Sequence, residues 1–301
     1  MVEGLTTKEA FENMFPAHQL DTIGDQWLIK WRGSQTIRYS LCLEIVKHTF
    51  LKDHEQGTIL DIGCAQSNFL ARMLRNYPCM KFYGTDISDN AIRWNQANFP
   101  DIQYKTCALP DIGFRQTLFD FISALEVIYY LDEERQLLSL QNIAAALKPG
   151  GYLLISGVLD NGKSYFSEKW IVQAVESVLK IEQITFNYAR YYTHLERSFL
   201  EGYRILNAAC RLFELTASEF RQRSLEKNAW RWRCIKILRF PLLKPLGRVA
   251  LLGTARFFRA LLGWTWLPLV CFSITKLILK DKGKSHIIIL ARKGSCSEER
   301  Y

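Results

Sequence analysis

Short apolar runs alternate with segments of helical periodicity through the middle of the chain. Runs rich in Ile, Leu and Phe occupy residues 58–63, 81–87, 102–107, 119–125 and 152–158. Segments with apolar residues every three or four positions lie between most of them, at residues 67–77, 89–99 and 132–147. This alternation predicts a parallel sheet with helices on both faces.

Beyond residue 158 the alternation stops. A helical segment at 167–179 leads to one further strand at 180–186, and the run at 285–293 is again a strand. Residues 187–284 fit no repeat of strand and helix, and we interpret them as a helical insertion between the last two strands of one sheet. The predicted fold class is therefore α/β, with seven mostly parallel strands.

The pattern divides the chain into four parts. Residues 1–57 have helical periodicity, and we expect them to form a lid. Residues 58–186 form the α/β core, residues 187–284 the insertion, and residues 285–293 the last core strand.

Charge is unevenly distributed. The chain carries a net +9, yet residues 221–284 hold 15 Lys/Arg against 2 Asp/Glu, so the remainder is mildly acidic. Such a basic segment suits phosphate, anionic lipid headgroups or nucleic acid.

The eight cysteines form no C-x-x-C pair and no histidine cluster accompanies them, so we expect no metal site and reduced thiols. The amino terminus lacks a secretory pattern, which favours a cytoplasmic location.

An acid and a glycine close the first strand. In ILDIGCAQSNF, Asp61 precedes Gly63, and Ala65 and Ser67 follow at a spacing of two. A dinucleotide site requires G-x-G-x-x-G, because the pyrophosphate rests on the amides of the next helix. The second strand ends at Asp86, where an acid can accept hydrogen bonds from ribose hydroxyls in either a dinucleotide or a sulfonium cofactor.

Four stretches together resemble the class I S-adenosylmethionine-dependent methyltransferases: ILDIGCAQSNF, FYGTDIS, FDFISALEVIYYL and LKPGGYLLIS. The resemblance covers about residues 57–160 and the final strand, and it implies a Rossmann-like core that binds S-adenosylmethionine. The pattern Glu-x-x-Tyr-Tyr-Leu at 126–131 is similar to that of the nodulation N-methyltransferases.

The resemblance also implies roles for single residues. The first motif of the family falls on Asp61, Gly63, Ala65 and Ser67, with Asp61 and Gly63 beside the methionine part of the cofactor. The other implied cofactor contacts follow the second and third strands: Asp86 at the ribose, Ile87 against the adenine, and Cys107 and Ala108 at the adenine edge. Cys107 departs from the acid that the family usually has there. Glu126 would face the methyl-transfer site.

The two replaced glycines do not abolish this expectation. Ala65 adds one methyl group, which is tolerated if its φ is negative, and Ser67 stands at the helix entry, where serine is a good N-cap. We therefore expect the loop to retain the cofactor. The alternative is a degenerate fold that has lost it.

Candidate catalytic residues are few. Methyl transfer mainly requires alignment and exclusion of water, and a general base helps only if the nucleophile carries a proton to lose. Glu126 is the first candidate for base or substrate anchor, with hydrogen bonding to cofactor or backbone as the alternative. His194 is a weaker candidate, because a lone histidine on an aromatic helix is more often a packing residue than a catalytic one.

The segment GDQWLIKWRGSQTIRY is the predicted lid. Trp27, Trp31, Arg38 and Tyr39 have the size and polarity to close over a cofactor, and Arg38 could bind its carboxylate in a bidentate manner. The alternative is a helix packed on the sheet edge with its arginine in solvent.

The insertion contains the most unusual composition in the chain. Residues 260–275 hold no charge over 16 positions, which is shorter than the roughly 20 residues that span a bilayer, and basic residues flank them. Three interpretations are open: an anchor on an anionic membrane through residues 221–284, a helical cap over substrate or subunit, and an RNA-binding arm. Aliphatic content favours the membrane over RNA.

The favoured function is methylation of an oxygen or nitrogen on a small metabolite, lipid- or sugar-linked, by a protein that is cytoplasmic or peripheral at the membrane. Nucleic acid is not the expected acceptor, because Asp/Asn-Pro-Pro-aromatic is absent after the fourth strand. The alternatives are a non-catalytic membrane-associated protein that retains the fold, and an RNA methyltransferase. The sequence does not fix the oligomeric state.

Overall fold

A computed structural model describes residues 7–14, 32–114, 116–160, 165–214 and 244–294 of the chain. Seven strands form one sheet: β1 (Thr58–Ile62), β2 (Lys81–Asp86), β3 (Ile102–Thr106), β4 (Phe119–Leu125), β5 (Leu147–Val158), β6 (Lys180–Asn187) and β7 (His286–Arg292). Their order is β3-β2-β1-β4-β5-β7-β6, and β7 runs antiparallel to both neighbours. The predicted seven-stranded, mostly parallel sheet is confirmed.

Helices connect the strands on both faces of the sheet. The described helices are α1 (Thr7–Met14), α2 (Gly33–His48), α3 (Phe50–Asp53), α4 (Asn68–Asn76), α5 (Asp89–Asn98), α6 (Glu133–Ala146), α7 (Glu168–Glu176), α8 (Arg190–Glu214), α9 (Lys244–Gly263) and α10 (Trp266–Leu279). Short 3₁₀ helices follow β4 and α10, at Ile128–Tyr130 and Lys280–Gly283.

The core lies on both faces of the sheet. Ile59 and Leu60 are adjacent in β1 and so point to opposite faces, yet each is fully buried. Leu60 belongs to a cluster with α6 and α7, whereas Ile59 belongs to a cluster with α2 and α4. This double burial explains why the central strands β1, β4 and β7 are nearly continuous apolar runs instead of alternating ones.

One strand begins earlier than the sequence indicates. Pro149, Gly150 and Gly151 are typical of a turn, so the strand was predicted to begin at residue 152. In the structure β5 already begins at Leu147, which pairs with Phe119, and a bulge absorbs the irregular residues. Pairing with β4 therefore overrides the local turn preference.

Within the described residues, the insertion between β6 and β7 consists mainly of the helices α8, α9 and α10. Its α9 packs along α8, where the rings of Phe199 and Phe258 lie 6.0 Å apart. Its α10 packs on the amino-terminal part of α2, where Phe272 joins a cluster with Ile37 and Tyr192. In the described part of the chain no single helix is long and apolar enough to cross a bilayer; residues 252–263 and 266–283 reach that length only as a pair bent by 47°.

Candidate active site

The carboxyl ends of β1, β2 and β4 meet at one edge of the sheet. The order β2-β1-β4 places the crossover of the sheet beside β1, where ligands of open α/β sheets bind. Each of the three strands delivers an acid to this edge: Asp61 within β1, Asp86 at the end of β2 and Glu126 after β4. The predicted site residues at these strand ends are therefore brought together.

The loop after β1 keeps the backbone of a glycine-rich turn. Gly63, Ala65 and Ser67 all have positive φ, at 71°, 45° and 51°. A side chain at Gly63 would place its Cβ 2.7 Å from Val127 Cγ2, so only glycine fits there. The Gly63 and Cys64 amides both donate to the Thr85 carbonyl, at 2.7 and 2.9 Å, which ties the turn to β2.

Neither condition set for this loop is met. Tolerance of alanine at Ala65 was tied to a negative φ, and Ser67 was expected to cap α4 with its side chain. Ser67 is instead left-handed, and its buried side chain makes no capping hydrogen bond to α4. Ala65 is held in place by tertiary contacts: its amide donates to Asp86 Oδ2 at 2.9 Å, and Asn95 Nδ2 donates to its carbonyl at 2.6 Å.

Asp86 organises the ribose end of the predicted site. Its two carboxylate oxygens accept hydrogen bonds from the Ala65 amide and the Ser88 amide, each at 2.9 Å. Burial raises the pKa of this carboxyl, and the two amides oppose that rise. Half-buried Ile87 follows it directly, and the Cys107 amide donates to the Asp86 carbonyl at 2.9 Å. Asp86 thus joins the cofactor loop to the ends of β2 and β3.

The predicted adenine residues sit at neighbouring strand ends. Ile87 and Cys107 are half-buried, and Ala108 is exposed beside Cys107. The Cys107 thiol is 3.1 Å from the Asp111 carbonyl. Their contacts with an adenine stay a prediction, although their places in the fold agree with it.

Asp61 is a buried carboxyl group whose pKa lies near neutral pH. It is 4% exposed and accepts a hydrogen bond from Ser123 Oγ at 2.7 Å. Burial raises its pKa to about 7, against the opposing hydrogen bond from Ser123. A cation bound next to Asp61 would stabilise its charged form and reverse this rise.

Helix α1 bridges the two sides of the crevice. Glu12 accepts hydrogen bonds from Ser88 Oγ at 2.9 Å and the Asp89 amide at 2.6 Å, so it caps α5 beside Asp86. On the other side, the Phe11 ring meets the Tyr130 ring edge-on at 5.1 Å. The residues named for the predicted amino-terminal lid come from the stretch 24–39, whereas the helix that reaches across the crevice is α1. Trp27 and Trp31 lie outside the described residues.

Glu126 is the centre of a polar cluster at the carboxyl end of β4. Its Oε1 lies 2.6 Å from Arg38 Nη1 and accepts from Ser156 Oγ at 3.0 Å, and its Oε2 accepts from Tyr129 Oη at 3.2 Å. Burial raises the pKa of Glu126, but the charge of Arg38 and the hydrogen bond from Ser156 oppose burial, and the net result is a lowered pKa. A carboxylate of low pKa is a poor general base, so the geometry favours anchoring over proton abstraction.

Arg38 is buried instead of solvated. It is 6% exposed, and besides Glu126 it contacts Gln35 Oε1 at 2.5 Å. Tyr39, Cys42, Leu125 and Ser156 lie close around it. The alternative of an arginine in solvent is therefore wrong, whereas its predicted contact with the cofactor carboxylate stays a prediction.

The histidine beside Glu126 is His286, which the sequence analysis missed. Its Nε2 lies 3.9 Å from Glu126 Oε2. It opens β7, and because β7 is antiparallel, its start lies at the carboxyl edge of β4 and β5. The run SHIIILARK, taken together with an antiparallel last strand, could have located it. His194 lies exposed on α8, and its catalytic role stays a prediction.

A family model described as a methyltransferase domain matches residues 34–226, which is more than half of the chain. The tRNA N(3)-methylcytidine methyltransferase trm141 of Schizosaccharomyces pombe is 29% identical over 139 residues, or 43% of this chain and 54% of that protein. The chain thus spans about half the length of this curated relative.

Solved structures show a similar fold. A protein assigned as a sarcosine dimethylglycine methyltransferase from Galdieria sulphuraria superposes with a TM-score of 0.51, covering 86% of each chain at 14% identity. The N-methyltransferase NodS from Bradyrhizobium japonicum WM9, solved with S-adenosyl-L-homocysteine, gives a TM-score of 0.48 over 58% of this chain and 90% of that one, at 18% identity. With a family model across most of its length and this strand order, the chain belongs to the class I S-adenosylmethionine-dependent methyltransferases, and it is an enzyme whose methyl donor is S-adenosylmethionine.

Proposed function

We propose that the enzyme transfers the methyl group to an oxygen or nitrogen atom of a small acceptor that binds against Glu126. The observation that carries this proposal is the buried ion pair of Glu126 with Arg38, 2.6 Å long, at the carboxyl end of β4. It fixes a carboxylate next to the strand that bears the cofactor loop. A carboxylate held in this way can orient an N–H or O–H group of an acceptor.

The proposed cofactor position follows from the strand ends. Asp61 would face the ammonium of the methionine part, which agrees with a carboxyl whose pKa a cation would lower. Asp86 retains lone pairs for the ribose hydroxyls after it has accepted the two amides. Arg38 has five N–H donors, so it can meet the cofactor carboxylate while it remains paired with Glu126.

The chemistry asks little of the protein beyond alignment. When bound, S-adenosylmethionine supplies an electrophilic methyl group on a sulfonium. Glu126 orients the acceptor, Arg38 holds Glu126 in its charged form, and α1 together with the buried residues around Arg38 excludes water from the crevice.

Calorimetric titration with S-adenosylhomocysteine tests the cofactor assignment. We expect micromolar binding to the wild-type enzyme. Asp86→Ala would remove a contact with the cofactor and also the hydrogen bond that holds the Ala65 amide and orders the loop. We therefore expect it to weaken binding about 30-fold or more. Ile87→Ala removes only apolar contact and would weaken binding about 5-fold to 10-fold.

Asp101→Ala is the matched control. Asp101 is an exposed carboxylate at the opposite, amino-terminal edge of β3, so its loss should leave binding unchanged. If the wild-type enzyme fails to bind, or if all three variants bind equally well, the proposed cofactor position is wrong.

A second candidate property is docking on an anionic membrane surface, which would make the acceptor amphipathic. It is supported by large apolar side chains that α10 leaves exposed, with Leu277 at 79% and Ile278 at 69%. Lys276 and Lys280 are exposed at the same end of the helix. Apolar side chains beside exposed lysines are typical of helices that lie in a lipid headgroup layer.

Co-sedimentation with liposomes tests this property. We expect binding to vesicles with 30 mol% phosphatidylserine and about 10-fold weaker binding to phosphatidylcholine alone. The double variant Leu277→Ser/Ile278→Ser should abolish it, whereas Ile184→Ser, on β6 away from α10, should not. Equal recovery of wild type and double variant in the pellet would contradict the proposal.

An RNA acceptor is the alternative that the similarity to a tRNA methyltransferase raises. That similarity spans 43% of this chain. Transfer of labelled methyl groups to total tRNA, with Glu126→Gln as the control for site-dependent transfer, would favour this alternative over a small acceptor.

A further inference from the structure

The hydrogen bonds around Ser285 determine which nitrogen of His286 carries a proton. Ser285 Oγ lies 2.9 Å from His286 Nδ1, 2.9 Å from the Asn187 carbonyl, and accepts from the Ala189 amide at 3.0 Å. A hydroxyl has one proton to donate, and a carbonyl can only accept it. With the Ser285 hydroxyl proton directed to the Asn187 carbonyl, which also accepts the Ser285 amide at 2.8 Å, His286 donates from Nδ1 to Ser285.

The other nitrogen of His286 consequently offers a lone pair to the acceptor end of the site. Nε2 faces Glu126 Oε2 at 3.9 Å, too far for a direct hydrogen bond. Burial lowers the pKa of His286 to about 4; Glu126 opposes this effect, and Arg38 and Arg32 reinforce it. With those charged groups and the Tyr129 hydroxyl around it, the ring remains neutral at physiological pH.

A third acceptor lies beside this pair. Asn187 is opposite His286 in the β6–β7 register, and Val158 is opposite it in β5, two residues beyond Ser156, which bonds Glu126. Side chains at these positions share one sheet face. Asn187 is 3% exposed, and its Oδ1 has no hydrogen-bond partner among the described residues.

We propose that His286 Nε2 and Glu126 Oε2 together bind the nitrogen of an amine acceptor, with His286 as the residue that orients it. If an acceptor nitrogen lies about 2.9 Å from both atoms, the angle Nε2–N–Oε2 at that nitrogen is roughly 85°. Two N–H groups of one amine can point in these two directions. A hydroxyl has a single donor and can satisfy only one of them. The inference rests on the proposed function and narrows its acceptor to an amine.

The step balances without another reactant. The lone pair of the neutral amine forms the new C–N bond, the methyl–sulfur bond breaks, and its electron pair stays on sulfur. The resulting ammonium releases its extra proton to solvent, because His286 is too weak a base to remove it. The role of His286 is therefore to hold an N–H group and aim the lone pair at the methyl carbon.

Nitrogen-15 NMR of the full-length enzyme saturated with S-adenosylhomocysteine tests the tautomer. Five histidines contribute signals, and His286→Asn identifies those of His286. We expect a proton-bearing Nδ1 and a proton-free Nε2 at pH 7. Addition of n-hexylamine at pH 9 should shift the Nε2 signal, and 1-hexanol should leave it unchanged. A proton on Nε2 at pH 7, or equal effects of both probes, would overturn the inference.

Transfer of labelled methyl groups to n-hexylamine separates orientation from structure. Asparagine places its amide near Nδ1 and keeps the Ser285 contact, whereas glutamine reaches the position of Nε2. His286→Asn should therefore lose at least 10-fold in kcat/KM, and His286→Gln should lose less than 3-fold, with unchanged affinity for S-adenosylhomocysteine in both.

The possible failures are distinguishable. Equal losses in the two variants would reduce His286 to a structural residue, and no transfer to the amine with intact S-adenosylhomocysteine binding would refute the amine assignment alone. Failure of the wild-type enzyme to bind S-adenosylhomocysteine would instead refute the proposed function.

Discussion

Ala65 shows at the scale of one residue how tertiary contacts hold a backbone against its own preference. A left-handed alanine costs on the order of 1 kcal/mol, and its amide and carbonyl are each held by a buried partner, Asp86 and Asn95. Sequence alone could not reveal this, because the positive φ depends on residues 21 and 30 positions away.

Ala65→Gly should therefore stabilise the enzyme. Both clamping hydrogen bonds involve backbone atoms of residue 65 and survive the change, while the left-handed strain is relieved. We expect a gain of about 0.5 kcal/mol in the free energy of unfolding, after the greater entropy of an unfolded glycine is subtracted, measured by urea denaturation. Ala71→Gly, inside α4, should instead lose about 1 kcal/mol or more. A loss at residue 65 as large as at residue 71 would contradict this account of the loop.

The buried carboxyl of Asp61 predicts a pH dependence of stability. Its pKa rises from 3.8 to about 7 on folding, so the folded enzyme binds this proton more tightly than the unfolded chain does. Stability from this group is full below pH 4 and falls as the pH rises towards 7. Asp61→Asn keeps an acceptor for Ser123 but carries no charge. In the cofactor-free enzyme it should raise the free energy of unfolding by at least about 1 kcal/mol at pH 8 and change it little at pH 4. A variant effect that is the same at both pH values would contradict the raised pKa.

At the scale of elements, α1 should control the escape of the cofactor. Its contacts lie on opposite sides of the crevice, with Lys8 and Glu12 on α5 and Phe11 on Tyr130. Phe11→Ala and Glu12→Ala each weaken one side, and we expect either to speed dissociation of S-adenosylhomocysteine about 5-fold to 10-fold in stopped-flow chase experiments. Glu55→Ala, at an exposed turn before β1, is the control and should leave the rate unchanged. Unchanged rates in both α1 variants would show that α1 does not cover the crevice.

Hydrophobic periodicity predicted the helices and strands themselves, but it did not predict the direction of the last strand or which side chains it brings next to each other. The strand and helix pattern gave the sheet and the place of the insertion, because doubly buried strands are continuous apolar runs. His286 was missed because its position at the acceptor end depends on the direction of β7, which no local pattern encodes. His194 was the weaker catalytic candidate, with packing on its aromatic helix as the preferred role, and the structure leaves it exposed on α8. Side chains brought together by topology were thus the least predictable part of the site.

At the scale of the whole molecule, a buried network joins the insertion to the site. Glu196 of α8 is fully buried, 2.7 Å from Arg32 Nη2, and it accepts hydrogen bonds from the amide and hydroxyl of Ser34. It therefore caps α2, the helix that carries Arg38 to Glu126. The insertion thus supports one end of the helix whose Arg38 pairs with Glu126.

Glu196→Ala should consequently affect both stability and binding, although Glu196 does not contact the site. The change leaves Arg32 without its buried partner, and we expect a loss of about 3 kcal/mol in the free energy of unfolding. Because α2 then loses its cap, Arg38 should be less well positioned, and affinity for S-adenosylhomocysteine should fall about 3-fold to 10-fold. Glu201→Ala, exposed on the same helix, is the matched control. A destabilised variant with wild-type affinity would show that the insertion supports the fold without positioning Arg38, and the coupling between insertion and site would be refuted.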